Sequence, residues 1–178
     1  MIVPEKIIIL SKLHEKINNY SFCGVSERLN EVIENSINNN RWFTKEFIIK
    51  AIQSVNQFLN PEKLNRWKLN YSDINKSNIK KVAVIMAGNI PLVGFHDFLC
   101  VYITGNKFIG KLSTQDKYLL PFIAQEIIDI APKEEKYIEF TESRLSEFDA
   151  IIATGSNNSS RYFEHYFGKY PHIIRKSR

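Results

Sequence analysis

"VAVIMAGNIPLVGFHDFL", residues 82–99, runs apolar to Met86, breaks on Gly88-Asn89 and resumes apolar after Pro91. A short apolar run closed by turn residues predicts a buried strand, and the apolar segment beyond it predicts a helix. Gly88 relaxes the backbone where the strand ends, and Pro91 suits the first turn of the helix that follows. Asn89 is thereby held in a tight turn. Its amide has two uses there: capping that helix, or donating a hydrogen bond to a developing oxyanion without changing its own protonation state.

The same alternation continues downstream. Strands are expected at 82–86, 107–112, 137–141, 149–153 and 172–175, and helices at roughly 91–103, 116–130 and 157–168. Strand and helix in alternation imply an α/β fold, a mostly parallel Rossmann-like sheet with flanking helices. Such sheets bind ligands beyond the carboxyl ends of their strands. Three stretches are expected at those ends: "AGNIP", "KLSTQD" and "ATGSNNSSR".

Lys111, with the hydroxyls of Ser113 and Thr114 beside it, suits a ribose or a phosphate, the plain alternative being a solvated surface lysine. Thr154, Gly155 and Ser156 stand at a strand-to-helix junction whose free N–H groups favour an anion, or else simply cap a helix. Arg161 follows on that helix. Residues Gly105 to Lys111 spell G-x-x-x-x-G-K, but Leu112 stands where a phosphate loop needs Ser or Thr, and the pattern straddles a strand. That motif is excluded. No G-x-G-x-x-G occurs either.

Upstream the character is helical. In "SERLNEVIENSINN", Leu29, Val32, Ile33 and Ile37 fall at helical spacing behind a Ser26 that can cap, and "TKEFIIKAIQSVNQFL" repeats the pattern before Pro61. A polar stretch at 70–78 reads as a connecting loop, so the chain divides into a helical region, 1–80, and an α/β region, 81–178.

Composition fits one sizeable core: 44% of the 178 residues are hydrophobic and 12% aromatic. The net charge of +5 permits contact with nucleic acid, anionic lipid or a phosphate-rich ligand. Lys and Arg exceed Asp and Glu by 13 to 8 over residues 1–81 and by 5 to 1 over 161–178, around a middle with 6 against 10. The basic excess therefore flanks an acidic centre. Cys23 and Cys100 have neither the number nor the spacing of a disulfide framework or zinc site, which points to plain thiols in a reducing compartment, the cytoplasm. The N-terminus lacks a basic leader, and no apolar run reaches the roughly 18 residues of a membrane span. His14, His96, His165 and His172 show no metal-ligand spacing. His96 and Asp97 read as a structural pair. Phe163 and Phe167 read as a buried stripe, with stacking on bases as their other use.

Taken together, "VAVIMAGNIPLVGFHDFLCVYITGNKFIGKLS" and "FDAIIATGSNNSSRYFEHYFGKYPHIIRKSR" resemble the LuxC-type acyl-CoA reductases, a branch of the aldehyde dehydrogenase superfamily, over about residues 81–178. The resemblance implies that Asn89 stabilises the oxyanion of a tetrahedral or thiohemiacetal intermediate. It places Lys111 at the adenosine ribose and Thr154, Gly155 and Ser156 at the pyrophosphate. Many aldehyde dehydrogenases carry a Glu three residues after this Lys to hold both ribose hydroxyls, whereas Thr114 stands here. With no carboxylate to repel a 2′-phosphate, the expected cofactor is NADP(H), with NAD as the other candidate. Lys111, Ser113, Thr114, Thr154, Gly155 and Ser156 form the expected cofactor set.

The implied reaction reduces a fatty acyl thioester, on coenzyme A or a carrier, to an aldehyde through a Cys thioester. In family members the nucleophilic Cys lies further along, and neither Cys23 nor Cys100 matches it. The expectation is the N-terminal, nucleotide-binding part of a longer oxidoreductase of fatty acid metabolism, inactive alone, binding no nucleic acid, with homo-oligomers open to the full-length form. Two rivals stand beside it. A basic module binding RNA would lose affinity steeply with salt; a non-catalytic interaction fragment would keep the fold and pair through a sheet edge.

Overall fold

The computed structural model describes residues 2–22, 26–70 and 78–176. Cys23 and most of the loop expected at 70–78 lie outside the described residues. The chain starts with four helices, α1 (Ile2–Phe22), α2 (Glu27–Asn39), α3 (Lys45–Phe58) and α4 (Pro61–Leu69). Their starts follow side-chain capping chemistry: Ser26 accepts from the Leu29 N–H, Thr44 from the Phe47 N–H, and Asn60 from the N–H groups of Glu62 and Lys63, with Pro61 in the first turn.

There follow β1 (Lys81–Ile85), α5 (Phe95–Ile103), β2 (Lys107–Lys111), α6 (Leu119–Ile130), a short 3-10 helix (Pro132–Tyr137), β3 (Ile138–Thr141), β4 (Ala150–Gly155), α7 (Asn157–Phe167) and β5 (His172–Lys176). All the strands are parallel, in the order β3-β2-β1-β4-β5. Crossovers between parallel strands are right-handed. The chain steps one way from β1 to β2 and the other way from β4 to β5, so α5 and α7 must lie on opposite faces of the sheet. The order reverses between β1 and β4, and the switch point of the fold lies there.

α5 and α6 cover one face, and α1 to α4 lie outside them, chiefly through contacts of α1 with α5 and α6 and of α2 with α6. One apolar cluster runs from Val3 on α1 to Ile138 on β3. At its centre Phe98 stacks on Tyr102 at 5.7 Å and meets Phe108 edge-on at 5.0 Å. Two buried carboxylates fasten the outer helices to this layer. Glu134 pairs with Lys6, accepts from the Tyr102 hydroxyl at 3.1 Å, and leaves the Lys6 ammonium between the Tyr102 and Tyr137 rings at 4.0 and 3.9 Å from their centroids. Burial pulls the Lys6 ammonium below its ordinary value, opposed by Glu134. Glu126 likewise gathers Lys16, the Tyr20 hydroxyl at 2.7 Å and Arg28 at 3.4 Å. Among the described residues no helix is long and apolar enough to cross a membrane.

Three expectations need adjusting. The helix expected from 91 begins at Phe95 with Gly94 as its N-cap, because residues 91–94 form a turn in which Leu92 takes φ 59°. The helix expected from 116 begins at Leu119, since Asp116 is used in that same turn. β4 runs on through Thr154 and Gly155, because β5 continues to pair with it there, Thr154 opposite Arg175 and Gly155 opposite Lys176.

Candidate functional site

The carboxyl ends of β2, β1 and β4 lie side by side, with Ile85 opposite Lys111 on one side and Ala153 on the other. Their three following segments, which hold Asn89, Ser113-Thr114 and Ser156, are thus neighbours at the switch point. The first two are tied closely. A Cβ on Gly88 would stand 2.3 Å from Ser113 Oγ, so the absence of a side chain lets the loops touch. The end of α2 stitches both: the Asn40 amide reaches the carbonyls of Gly88 at 3.5 Å and Gln115 at 3.4 Å, and the Asn39 amide donates to the Thr114 carbonyl at 2.6 Å.

Asn89 is exposed, five residues before the cap of α5, and Gly94 makes no side-chain capping bond. Capping α5 is therefore not its use. Ser113 is turned toward Gly88 and accepts from the Gln115 N–H at 3.2 Å, so its hydroxyl serves the loop. Thr114 is exposed.

α7 starts from Ser156, whose hydroxyl accepts from the Ser159 N–H at 3.2 Å, and its first turn carries no acidic residue. The open N–H groups of that turn and the helix dipole favour an anion. Gly155 lets the end of β4 and α7 pack closely, because a Cβ there would meet Phe163 Cε2 and Ser159 Cβ, both on α7, at 2.9 Å each.

Between the carboxyl ends of β1 and β2, the 142–149 connection and α7 lies a cleft of about 820 Å³. The connection crosses β2 and β1 without a helix, which leaves this part of the sheet face open. Aromatic walls come from Phe148, Tyr162, Phe163 and Tyr166, and the cations are Lys111, Arg144 and Lys169. No Asp or Glu is among the described residues lining it. Lys111 donates to the Ser143 carbonyl at 3.3 Å.

Of the expected cofactor set, only Lys111 lines the cleft, while Thr154 and Ser156 stand at the neighbouring strand end and helix start. Phe163 and Phe167 do not form the expected buried stripe. They are half-buried and line the cleft, since no helix covers them. Arg144, Leu145 and Phe148 gave no sequence signal, since the irregular 142–149 segment carries no motif.

The thiol of Cys100 is half-buried on α5, 3.8 Å from the nearer His96 ring nitrogen, and burial raises its pKa with Asp97 adding to the effect. That environment disfavours a thiolate. Asp97 is buried and takes its principal ion pair from Arg175 on β5 rather than from His96, whose ring nitrogen is 3.6 Å away. Among the described residues, no group of three or more His, Cys, Asp and Glu could hold a metal ion.

The family model of the LuxC acyl-CoA reductases matches residues 11–174. This chain belongs to that family.

Solved structures agree on the fold. Glyceraldehyde-3-phosphate dehydrogenase GapN of Methanocaldococcus jannaschii, solved with NADP, is similar over 99% of this chain and 42% of its own, at 13% identity and a TM-score of 0.65. An NAD-dependent benzaldehyde dehydrogenase of Corynebacterium glutamicum is similar over 97% of this chain and 41% of its own, at 12% identity and a TM-score of 0.64. Gamma-glutamyl phosphate reductase of Saccharomyces cerevisiae is similar over 94% and 49%, at 12% identity and a TM-score of 0.54. The fold is that of the aldehyde dehydrogenases, and the chain spans less than half the length of these structures. No curated protein matches it.

Proposed function

We propose that this chain is the nucleotide-binding part of an NADP(H)-dependent acyl-CoA reductase that converts a fatty acyl thioester to an aldehyde. The observation that carries the reading is the cleft beside the carboxyl ends of β1 and β2, aromatic on its walls, with Lys111, Arg144 and Lys169 lining it and no carboxylate among the described residues that line it. A cleft of about 820 Å³ lies within the usual range for small-molecule sites.

The residues present fit a dinucleotide. A pyrophosphate sits at the start of α7, which Gly155 lets pack close to the end of β4 and whose open N–H groups and dipole stabilise the charge. Lys111 can leave the Ser143 carbonyl for a ribose oxygen, and Arg144 adds a second cation for a 2′-phosphate. Tyr162 and Phe163 offer faces on which a base can stack. When bound, the nicotinamide supplies the hydride.

Asn89, exposed on its turn and free of α5, donates its amide to the oxyanion of the reacting carbonyl. The nucleophilic Cys of the reaction lies outside this chain, in keeping with the half-buried Cys100, whose thiol is held protonated. The reading places the reaction in the cytoplasm.

Fluorescence titration of the chain with NADPH and NADH tests the proposal. NADPH binds more tightly than NADH, and Lys111→Ala and Arg144→Ala each weaken NADPH about tenfold or more, as loss of a charge-assisted bond does, with Arg144→Ala having less effect on NADH. Binding of neither nucleotide, or equal affinities untouched by both substitutions, refutes it.

A further inference from the structure

Asp116 is buried at 8% exposure, one of its oxygens accepts the Leu92 N–H at 2.8 Å, and its other oxygen, Oδ1, has no hydrogen-bond partner. Leu92 is the one non-glycine among the described residues with positive φ, at 59°. An L-residue stays in that region only when its surroundings hold it there. The bond from Leu92 spans 24 positions of sequence and joins the β1–α5 turn to the loop after β2. Asn89 stands three residues before Leu92, and Ser113 and Thr114 stand just before Asp116.

We propose that Asp116 is a positioning residue: by accepting the Leu92 N–H it fixes the turn that presents Asn89 and makes that turn move as one body with the Ser113-Thr114 loop. Its consequence for chemistry rests on the reading of Asn89 given above, but the linkage itself does not. Gly88 against Ser113 and the Asn40 amide across both carbonyls reinforce the same joint.

The carboxyl is placed so that its protonation is felt at Leu92. Burial pushes it up to about 6, against the pull of the Leu92 and Leu119 N–H groups. Among the described residues no other charge sets that value. Residues 86–94 carry no ionisable side chain, and α2 reaches the loop with the neutral amides of Asn39 and Asn40, Arg41 beyond them being exposed. On its own segment Asp116 is followed by Lys117, whose ammonium lies 5.2 Å from the centre of the Tyr118 ring, and by Tyr118. A proton taken up on Oδ1 leaves Oδ2 a neutral acceptor and weakens the bond to Leu92.

The test is amide NMR on the 178-residue chain. In the wild type the Leu92 amide resonance titrates with a midpoint near 6, the value set by Asp116, without any variant or nucleotide being needed. Asp116→Asn keeps a neutral acceptor and abolishes the titration, and Asp116→Ala speeds hydrogen exchange at Leu92 roughly tenfold or more. NADPH shifts the Asn89 side-chain resonances in the wild type, and Asp116→Ala removes that response while NADPH still binds. A Leu92 resonance that does not titrate, or exchange unchanged in Asp116→Ala, overturns the linkage. An NADPH response at Asn89 that survives in Asp116→Ala overturns the coupling. Failure of the wild type to bind NADPH counts against the proposed function alone, because the pH titration still decides the linkage.

Discussion

Gly88→Ala probes the joint between the two loops. The new Cβ would sit 2.3 Å from Ser113 Oγ, 2.5 Å from Ser113 Cβ and 3.1 Å from Gln115 Cβ. Carbon atoms settle at about 3.5–4.0 Å, so Ser113 must retreat by about 1 Å or more. It cannot do so cheaply, because its hydroxyl accepts the Gln115 N–H and its backbone bridges to Asp116. Gly88 does not lie at positive φ, so the cost is steric rather than conformational. Overpacking of this kind costs about 1–3 kcal/mol. For a chain of this size each kcal/mol lowers Tm by about 2–4 °C, within reach of calorimetry or circular dichroism. Ser113→Gly in the Gly88→Ala background removes both clashing atoms and restores most of the loss, an interaction that a double-mutant cycle measures directly. A Gly88→Ala variant as stable as the wild type, or one that Ser113→Gly does not rescue, refutes the contact.

Two further outcomes follow from the buried charges. Lys6→Met leaves the Glu134 carboxylate buried without its cation and lowers stability by about 3–5 kcal/mol in chemical denaturation, and adding Glu134→Gln recovers much of it, since a neutral amide oxygen still takes the Tyr102 hydroxyl. Asp116 titrates in the folded chain above its ordinary 3.8, at about 6, so its stabilising contribution is complete below the lower value and is lost as pH rises through the higher one. The loss is about 3 kcal/mol, read as a slope in denaturation midpoint against pH that Asp116→Asn removes.

Much of the sheet is visible in the sequence, because each strand is a short apolar run closed by turn residues, and all five were expected within two residues of where they stand. What local pattern cannot show is what a distant side chain does. Pro91 reads as a helix start, yet α5 begins at Phe95 because Asp116 holds Leu92 in a turn from across the fold. Helical spacing marks Phe163 and Phe167 as apolar but says nothing of whether a helix covers them, and the bare 142–149 connection leaves them lining a cleft. His96 and Asp97 are adjacent in sequence, yet the cation that satisfies Asp97 comes from Arg175 on β5. Lys111 and the Thr154 to Ser156 segment stand at strand ends for a reason the sequence does carry: parallel strands collect their following loops on one edge.

The most direct test of the central claim is a hydrogen-exchange footprint of the chain with NADPH. Nucleotide binding protects two places, the first turn of α7 at residues 156–160 and the cleft segment at 142–149, which Lys111 touches at Ser143. Protection confined to α1 to α4, or none at nucleotide concentrations that saturate the fluorescence signal, contradicts it.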